Sequence, residues 1–127
     1  MRALLALALV MTVATARADE SWPTFGNPYV FTEQGGEAIY RSVCAGCHMP
    51  DGRGASGAGT YPSLAGDPRL AAFGYATGVV LKGRKAMPPF GDSLTNEQVA
   101  AVVSYICTHF GNGFANAPTV ADVAAER

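Results

Sequence analysis

Cys44-Ala45-Gly46-Cys47-His48 places two thiols three residues apart, with an imidazole immediately after the second. On one helical turn, two thiols so spaced can add to the two vinyl groups of a haem and form thioethers. The next side chain, His48, then lies under the iron and can give it a nitrogen. This is the C-x-x-C-H pattern of covalent haem attachment. Five residues can match by chance, so the rest of the chain has to supply what a haem requires. It needs a second axial ligand, an oxidising route of export, and apolar helices around the ring.

The sixth ligand is sought among methionines and histidines. Beyond the N-terminal segment the methionines are Met49 and Met87. Met49 adjoins His48 and cannot reach the opposite face of the ring. Met87 stands in Met87-Pro88-Pro89-Phe90, a loop stiffened by successive prolines. A thioether there favours Fe(II) and raises the potential. The competing ligand is His109, which helical phase puts off the apolar stripe of its helix, toward solvent. His48 needs an acceptor for its second ring nitrogen. The backbone carbonyl of Pro62 is the candidate.

The same residue types allow other sites. Cys44, Cys47, Cys107 and His109 could form a Cys3His zinc site, but C-x-H within one turn is an awkward bite for a tetrahedron. Exported chains also seldom keep reduced zinc thiolates. A thioredoxin-like pair would need a βαβ pattern, which is absent. Cys107 is left over, as a buried inert thiol or an intermolecular disulfide.

The elements that position these residues begin with export. Within the 127 residues, 1–18 read as a signal peptide: Arg2, an apolar run from Ala3 to Ala14, and Ala16-Arg17-Ala18 as the cleavage site. The alternative is an uncleaved membrane anchor, against which the run falls short of the ~20 residues a spanning helix needs. Loss of 1–18 removes Arg2 and Arg17, leaving seven basic against ten acidic side chains. That balance excludes a nucleic-acid binder. Residues 19–32 carry Trp22, Phe25, Tyr29 and Phe31 among prolines and form an extended aromatic arm. It either packs on the domain or docks a partner.

Thr32 is placed as the N-cap of a helix over 33–43 that delivers Cys44. Gly36, Tyr40 and Cys44 fall on one helical face, where the glycine permits another helix to approach. Residues 51–60, with four glycines, are read as loop. Asp67-Pro68 caps a short helix over 68–73, and a second helix covers 75–82 and stops at Gly83. Thr95 with Gln98 forms a capping box, and Leu94 with Val99 a staple, for a last main helix ended by Gly111. Thr119 with Asp122 marks a further short helix. No strand pattern is seen.

With these residues in place the chain resembles class I c-type cytochromes, from Thr32 to about Gly111. Gly36 and Tyr40, the C-x-x-C-H motif, Tyr61-Pro62, Met87-Pro88 and Tyr105 carry the resemblance. It implies an all-α domain, 33–127 with a tail from 112, of three to five helices around one haem c. It also implies that Gly36 and Tyr40 meet Tyr105 where the first and last helices cross. Pro62 would accept from His48, and Met87 would be the sixth ligand. The end of the chain is similar to bacterial cytochrome c subunits of periplasmic dehydrogenases.

The expected function is periplasmic one-electron transfer, not enzymatic catalysis. The expected donor is a dehydrogenase and the acceptor an oxidase or another cytochrome of the respiratory chain. No stable membrane insertion is expected. Arg69, Lys82, Arg84 and Lys85 could make a basic docking patch. The alternative is a haem enzyme or gas binder with a labile sixth ligand, for which the chain offers no distal acid–base pair beside Met87.

Overall fold

The structure, a computed structural model, describes residues 30–127. The expected signal peptide and most of the aromatic arm, including Trp22, Phe25 and Tyr29, lie outside the described residues. Phe31 lies inside them and packs on Phe90, ring centroids 6.4 Å apart.

Three helical pieces follow one another directly: α1 (Gly36–Ile39), a π-wound turn (Tyr40–Cys44) and α2 (Ala45–His48). The helix therefore starts three residues later than Thr32 and Glu33 suggested. The reason is long-range. Gln98, 3% exposed, donates through Nε2 to the carbonyls of Phe31 and Glu33 at 2.8 and 2.9 Å. Those carbonyls are thereby withdrawn from a helix ladder. Gly35, at φ 83°, then turns the chain into α1 in place of a side-chain cap. The π turn inserts an extra residue, so Cys44 leaves the strict line of Gly36 and Tyr40.

The glycine-rich loop holds a minimal hairpin, β1 (Ala55–Ser56) paired antiparallel with β2 (Thr60–Tyr61). The expectation of no strand fails here by two residues on each side. A 3-10 turn, Pro68–Ala71, is capped by Asp67, whose Oδ1 accepts from the Arg69 N–H at 3.0 Å. Then come α3 (Phe73–Lys82), α4 (Asn96–Thr108) and α5 (Val120–Glu126). The capping boxes at Thr95 and Thr119 are both formed. Helix α4 ends at Thr108 with His109 as its C-cap, short of Gly111, and Phe110 follows at φ 60°.

The core lies where α4 meets the other helices. Ile39, Val99, Val103, Cys107 and Val123 are fully buried there. A Cβ on Gly36 would stand 2.6 Å from Tyr105 Cβ and still closer to the Ala101 carbonyl oxygen. Only glycine allows α1 and α4 to touch backbone to backbone. Tyr40, 1% exposed, sits beside that crossing with its ring 5.6 Å from Tyr105 and 4.7 Å from Phe110. Helix α5 packs on α3 and α4 through Val123, so the stretch after 112 is folded onto the domain. Among the described residues no helix is long and apolar enough to cross a membrane.

Candidate functional site

The site is built from the end of α2. His48 is its last residue and is 8% exposed. Met49, at φ 64°, breaks the helix, and its carbonyl accepts from the Tyr40 hydroxyl at 2.7 Å. The loop then folds back: the Gly54 N–H donates to the His48 carbonyl at 3.0 Å. A Cβ on Gly54 would lie 2.8 Å from the Pro62 carbonyl carbon and oxygen. This glycine lets the 61–62 backbone lie against the 48–54 loop.

That approach sets the imidazole. His48 Nδ1 lies 2.9 Å from the Pro62 carbonyl oxygen. A carbonyl only accepts, so Nδ1 carries the hydrogen and Nε2 presents a lone pair. The Pro62 segment is held in turn. Leu64 N–H donates to the Gly52 carbonyl at 2.7 Å, and Asn112 Nδ2 donates to the Leu64 carbonyl at 2.8 Å. The same amide reaches the Ile106 carbonyl, tying this loop to α4. The sequence does not assign Asn112 or Gly54 these bracing roles. Nothing local marks them, because their partners are 48 and 8 residues away.

The thiols of Cys44 and Cys47 are free, the first half-buried and the second exposed. Burial, and then the neighbouring Cys47, push the Cys44 thiol up to about 12. The Tyr40 hydroxyl is pushed up to about 12 as well, by burial first and then by Cys44.

Met87 sits on a tight turn. Arg84 N–H donates to the Met87 carbonyl and Met87 N–H to the Arg84 carbonyl, both at 3.0 Å. Gly83, at φ 72°, admits the Met87–Pro89 backbone; a Cβ there would be 2.7 Å from the Met87 oxygen. Phe90 N–H then donates to the Val80 carbonyl at 2.9 Å, so both ends of the loop are fastened to α3. The Met87 side chain packs, half-buried, on the core.

His109 and Cys107 stand apart from this arrangement. The His109 ring is exposed and stacks on Tyr105, centroids 3.9 Å apart, with Nδ1 2.9 Å from the Tyr105 carbonyl oxygen. Cys107 is wholly buried and donates to the Leu70 carbonyl at 3.4 Å; burial pushes its thiol up. The zinc alternative fails, because among the described residues no three of His, Cys, Asp and Glu gather as ligands. A metal held by His48 must bring most of its ligands with it. A porphyrin does that, and two free thiols ahead of a tautomer-fixed imidazole are the donor set that fits one.

The sequence comparisons bear on the same stretch. Residues 32–106 match the family described as cytochrome c oxidase, cbb3-type, subunit III. The chain belongs to this c-type cytochrome family. The group carried by its members is covalently bound haem c, and electron transfer is their work. Among curated relatives, the fructose dehydrogenase cytochrome subunit of Gluconobacter japonicus is 38% identical over 92 aligned positions, covering 61% of this chain and 19% of that protein. The gluconate 2-dehydrogenase cytochrome c subunit of Pantoea cypripedii is 37% identical over 106 positions, covering 74% and 24%. The cytochrome c subunit of the quinone alcohol dehydrogenase of Komagataeibacter europaeus is 35% identical over 105 positions, covering 72% and 22%. The chain thus spans a quarter or less of the length of these relatives.

Proposed function

We propose that this cytochrome carries one electron at a time on a single haem c with His48 and Met87 as axial ligands, in a class I cytochrome fold. A bound haem supplies the Fe(II)/Fe(III) couple. The remaining work falls to the chain. Cys44 and Cys47 give the thioethers. His48 ligates through Nε2 while the Pro62 carbonyl holds its ring angle and keeps Nδ1 protonated. Met87 supplies a neutral sulfur from a turn whose two ends are fastened to α3. With the His48 ring and the Met87 turn both braced by backbone hydrogen bonds, the chain would hold a bound haem's ligands in place as its charge changes.

The observation that carries this reading is the His48–Pro62 contact at 2.9 Å, because it fixes which imidazole nitrogen is free. We place the protein in the periplasm, after cleavage behind Ala18, with 19–32 as an arm and 33–127 as the haem domain. The relatives are cytochrome subunits of dehydrogenases, which supports a dehydrogenase as donor and the respiratory chain as acceptor. The protein acts as a carrier and leaves the chemistry on substrate to its partner.

The test is intact-mass analysis with carbon monoxide titration of the ferrous protein. The proposal expects one haem that survives acid–acetone extraction in the wild type and is lost in the variant carrying both Cys44→Ala and Cys47→Ala. It also expects no carbon monoxide adduct on mixing. An extractable haem, or rapid carbon monoxide binding, would contradict it and favour a ligand-binding or peroxidase-like site.

A further inference from the structure

Arg127, directly after α5, is exposed, yet its side chain is held by three neutral acceptors. Nε donates to Asn96 Oδ1 at 2.5 Å, Nη2 to the Leu94 carbonyl at 2.7 Å, and Nη1 to the Gly91 carbonyl. These partners stand 31 to 36 residues away, so nothing in the local sequence marks the arginine. Asn96 opens α4, and Leu94, 4% exposed, is anchored in the core beside it.

All three acceptors lie at the outgoing end of the loop that carries Met87. That loop leaves α3 at Gly83 and enters α4 at Asn96. Its outgoing limb is bonded to α3 by the Phe90 and Gly91 N–H groups, which donate to the Val80 and Leu81 carbonyls at 2.9 and 3.2 Å. Arg127 ties the same limb to the start of α4. Helix α5, which delivers Arg127, is itself seated. Val123 is fully buried, Glu126 pairs with Lys82 at 3.1 Å, and the Glu126 carboxylate lies over Gly78, where a Cβ would stand 3.1 Å from Oε1. A planar guanidinium suits this place, because its N–H groups meet several acceptors at fixed angles, which an ammonium does not.

We propose that Arg127 is a positioning residue for Met87: it straps the Gly91–Leu94 limb to α4 and so keeps the sulfur from yielding its place to an outside ligand. The proposal rests on Met87 being an iron ligand. The incoming end of the loop is closed by the reciprocal Arg84–Met87 hydrogen bonds at 3.0 Å. The outgoing end is the weaker one, since it passes through Gly91 and the exposed Asp92 before Leu94 is buried. Met87 can swing away only when that end opens, and the guanidinium spans it from Gly91 to Asn96. Helix α5 thereby acts on the site without touching it.

The experiment is imidazole exchange on the ferric holoprotein, followed by loss of the methionine–iron charge-transfer band. The rate at saturating imidazole reads the opening of the loop. Wild type is compared with Arg127→Ala, with Arg127→Lys, and with Ile39→Val, a core truncation in α1 whose loss of stability is read from its urea midpoint. Arg127→Ala raises the limiting rate about fivefold, as loss of a charge-assisted hydrogen bond does, and speeds hydrogen exchange at the Gly91 amide. Arg127→Lys, which keeps the charge but not the planar fork, raises the rate about twofold and carries the comparison if the alanine variant fails to fold. Ile39→Val lowers the urea midpoint and leaves the limiting rate near that of wild type. A limiting rate indifferent to residue 127 overturns the proposal. So does acceleration by Ile39→Val in proportion to its lost stability, which would assign the effect to global unfolding. If wild type lacks the charge-transfer band, the ligand assignment fails and this proposal with it; a band present in wild type with exchange unmoved by Arg127→Ala and Arg127→Lys sinks the strap alone.

Discussion

Asp67 shows how one side chain can tune the domain without touching the iron. It is 9% exposed, caps the 3-10 turn and holds Arg69 through both carboxylate oxygens. The Arg69 hydrogen bonds come first among the causes that keep its carboxyl below the ordinary carboxylate range. A carboxyl depressed in the folded state stabilises the fold above the ordinary value of about 4 and loses that contribution as pH falls through the folded value. Asp122, held down by the Thr119 hydroxyl, acts with the same sign. The Asp67→Asn variant keeps an acceptor but not the charge, so its urea midpoint should fall less steeply than wild type between pH 5 and pH 2 (about the range over which a paired carboxylate is neutralised). A parallel decline in both would contradict this. Also at residue scale, Pro62→Ala keeps the carbonyl that His48 needs but frees the backbone around it. The expected result is a retained haem with a broadened, shifted potential. Loss of haem would mean that the proline ring itself does more than aim its carbonyl.

At the scale of elements, the fold turns on two long-range fastenings of α4. The first is the Gly36 contact. Gly36→Val would push a side chain into the Ala101 carbonyl and the Tyr105 Cβ, costing about 1–3 kcal/mol as overpacking does. Denaturant unfolding should show this with the haem spectrum kept. The second is Gln98. Its Oε1 completes the Thr95 capping box at 2.8 Å while Nε2 serves the Phe31 and Glu33 carbonyls. Gln98→Leu should cost about 1–3 kcal/mol for the groups left without a partner. Thr95→Ala alone should cost about 1 kcal/mol. If the two substitutions cost the same, the clamp on the N-terminal segment contributes nothing.

The capping boxes at Thr95 and Thr119, the Asp67-Pro68 start and the Gly83 stop could be read from sequence, because each is settled within four residues. The start of α1 could not. Its competitor for the Phe31 and Glu33 carbonyls lies 67 and 65 residues away. The π turn and the Ala55–Tyr61 hairpin leave no compositional mark, since a glycine-rich run reads as loop whether or not a few residues pair. Gly36 and Tyr40 could be read as a helix-crossing face because a mid-pattern glycine is costly unless something comes close.

For the whole molecule, the C-x-x-C-H pattern pointed to haem without structural help, as did the short list of methionines. What sequence withheld is charge. Arg69, Lys82, Arg84 and Lys85 look alike in a string of letters, and only the fold brings Glu126 to Lys82 across 44 residues. The same holds for Asn112, which spans 48 residues to brace the Pro62 segment. The assembly that results has one imidazole with a fixed tautomer, two free thiols beside it, and one thioether on a turn clamped to α3. If Met87 is the ligand proposed above, removing that thioether lowers the reduction potential on the order of 0.1 V or more, a part of the ~0.8 V range that axial ligation controls.

The measurement that bears most directly on the carrier reading is the near-infrared absorption of the ferric holoprotein, with Met87→Ala and Met49→Leu beside it. The expected result is a methionine–iron charge-transfer band in wild type and Met49→Leu, and its disappearance in Met87→Ala at unchanged covalent haem content. A band that survives Met87→Ala, or is missing from wild type, would contradict a closed His48/Met87 iron and with it the assignment of this protein as a simple carrier of electrons.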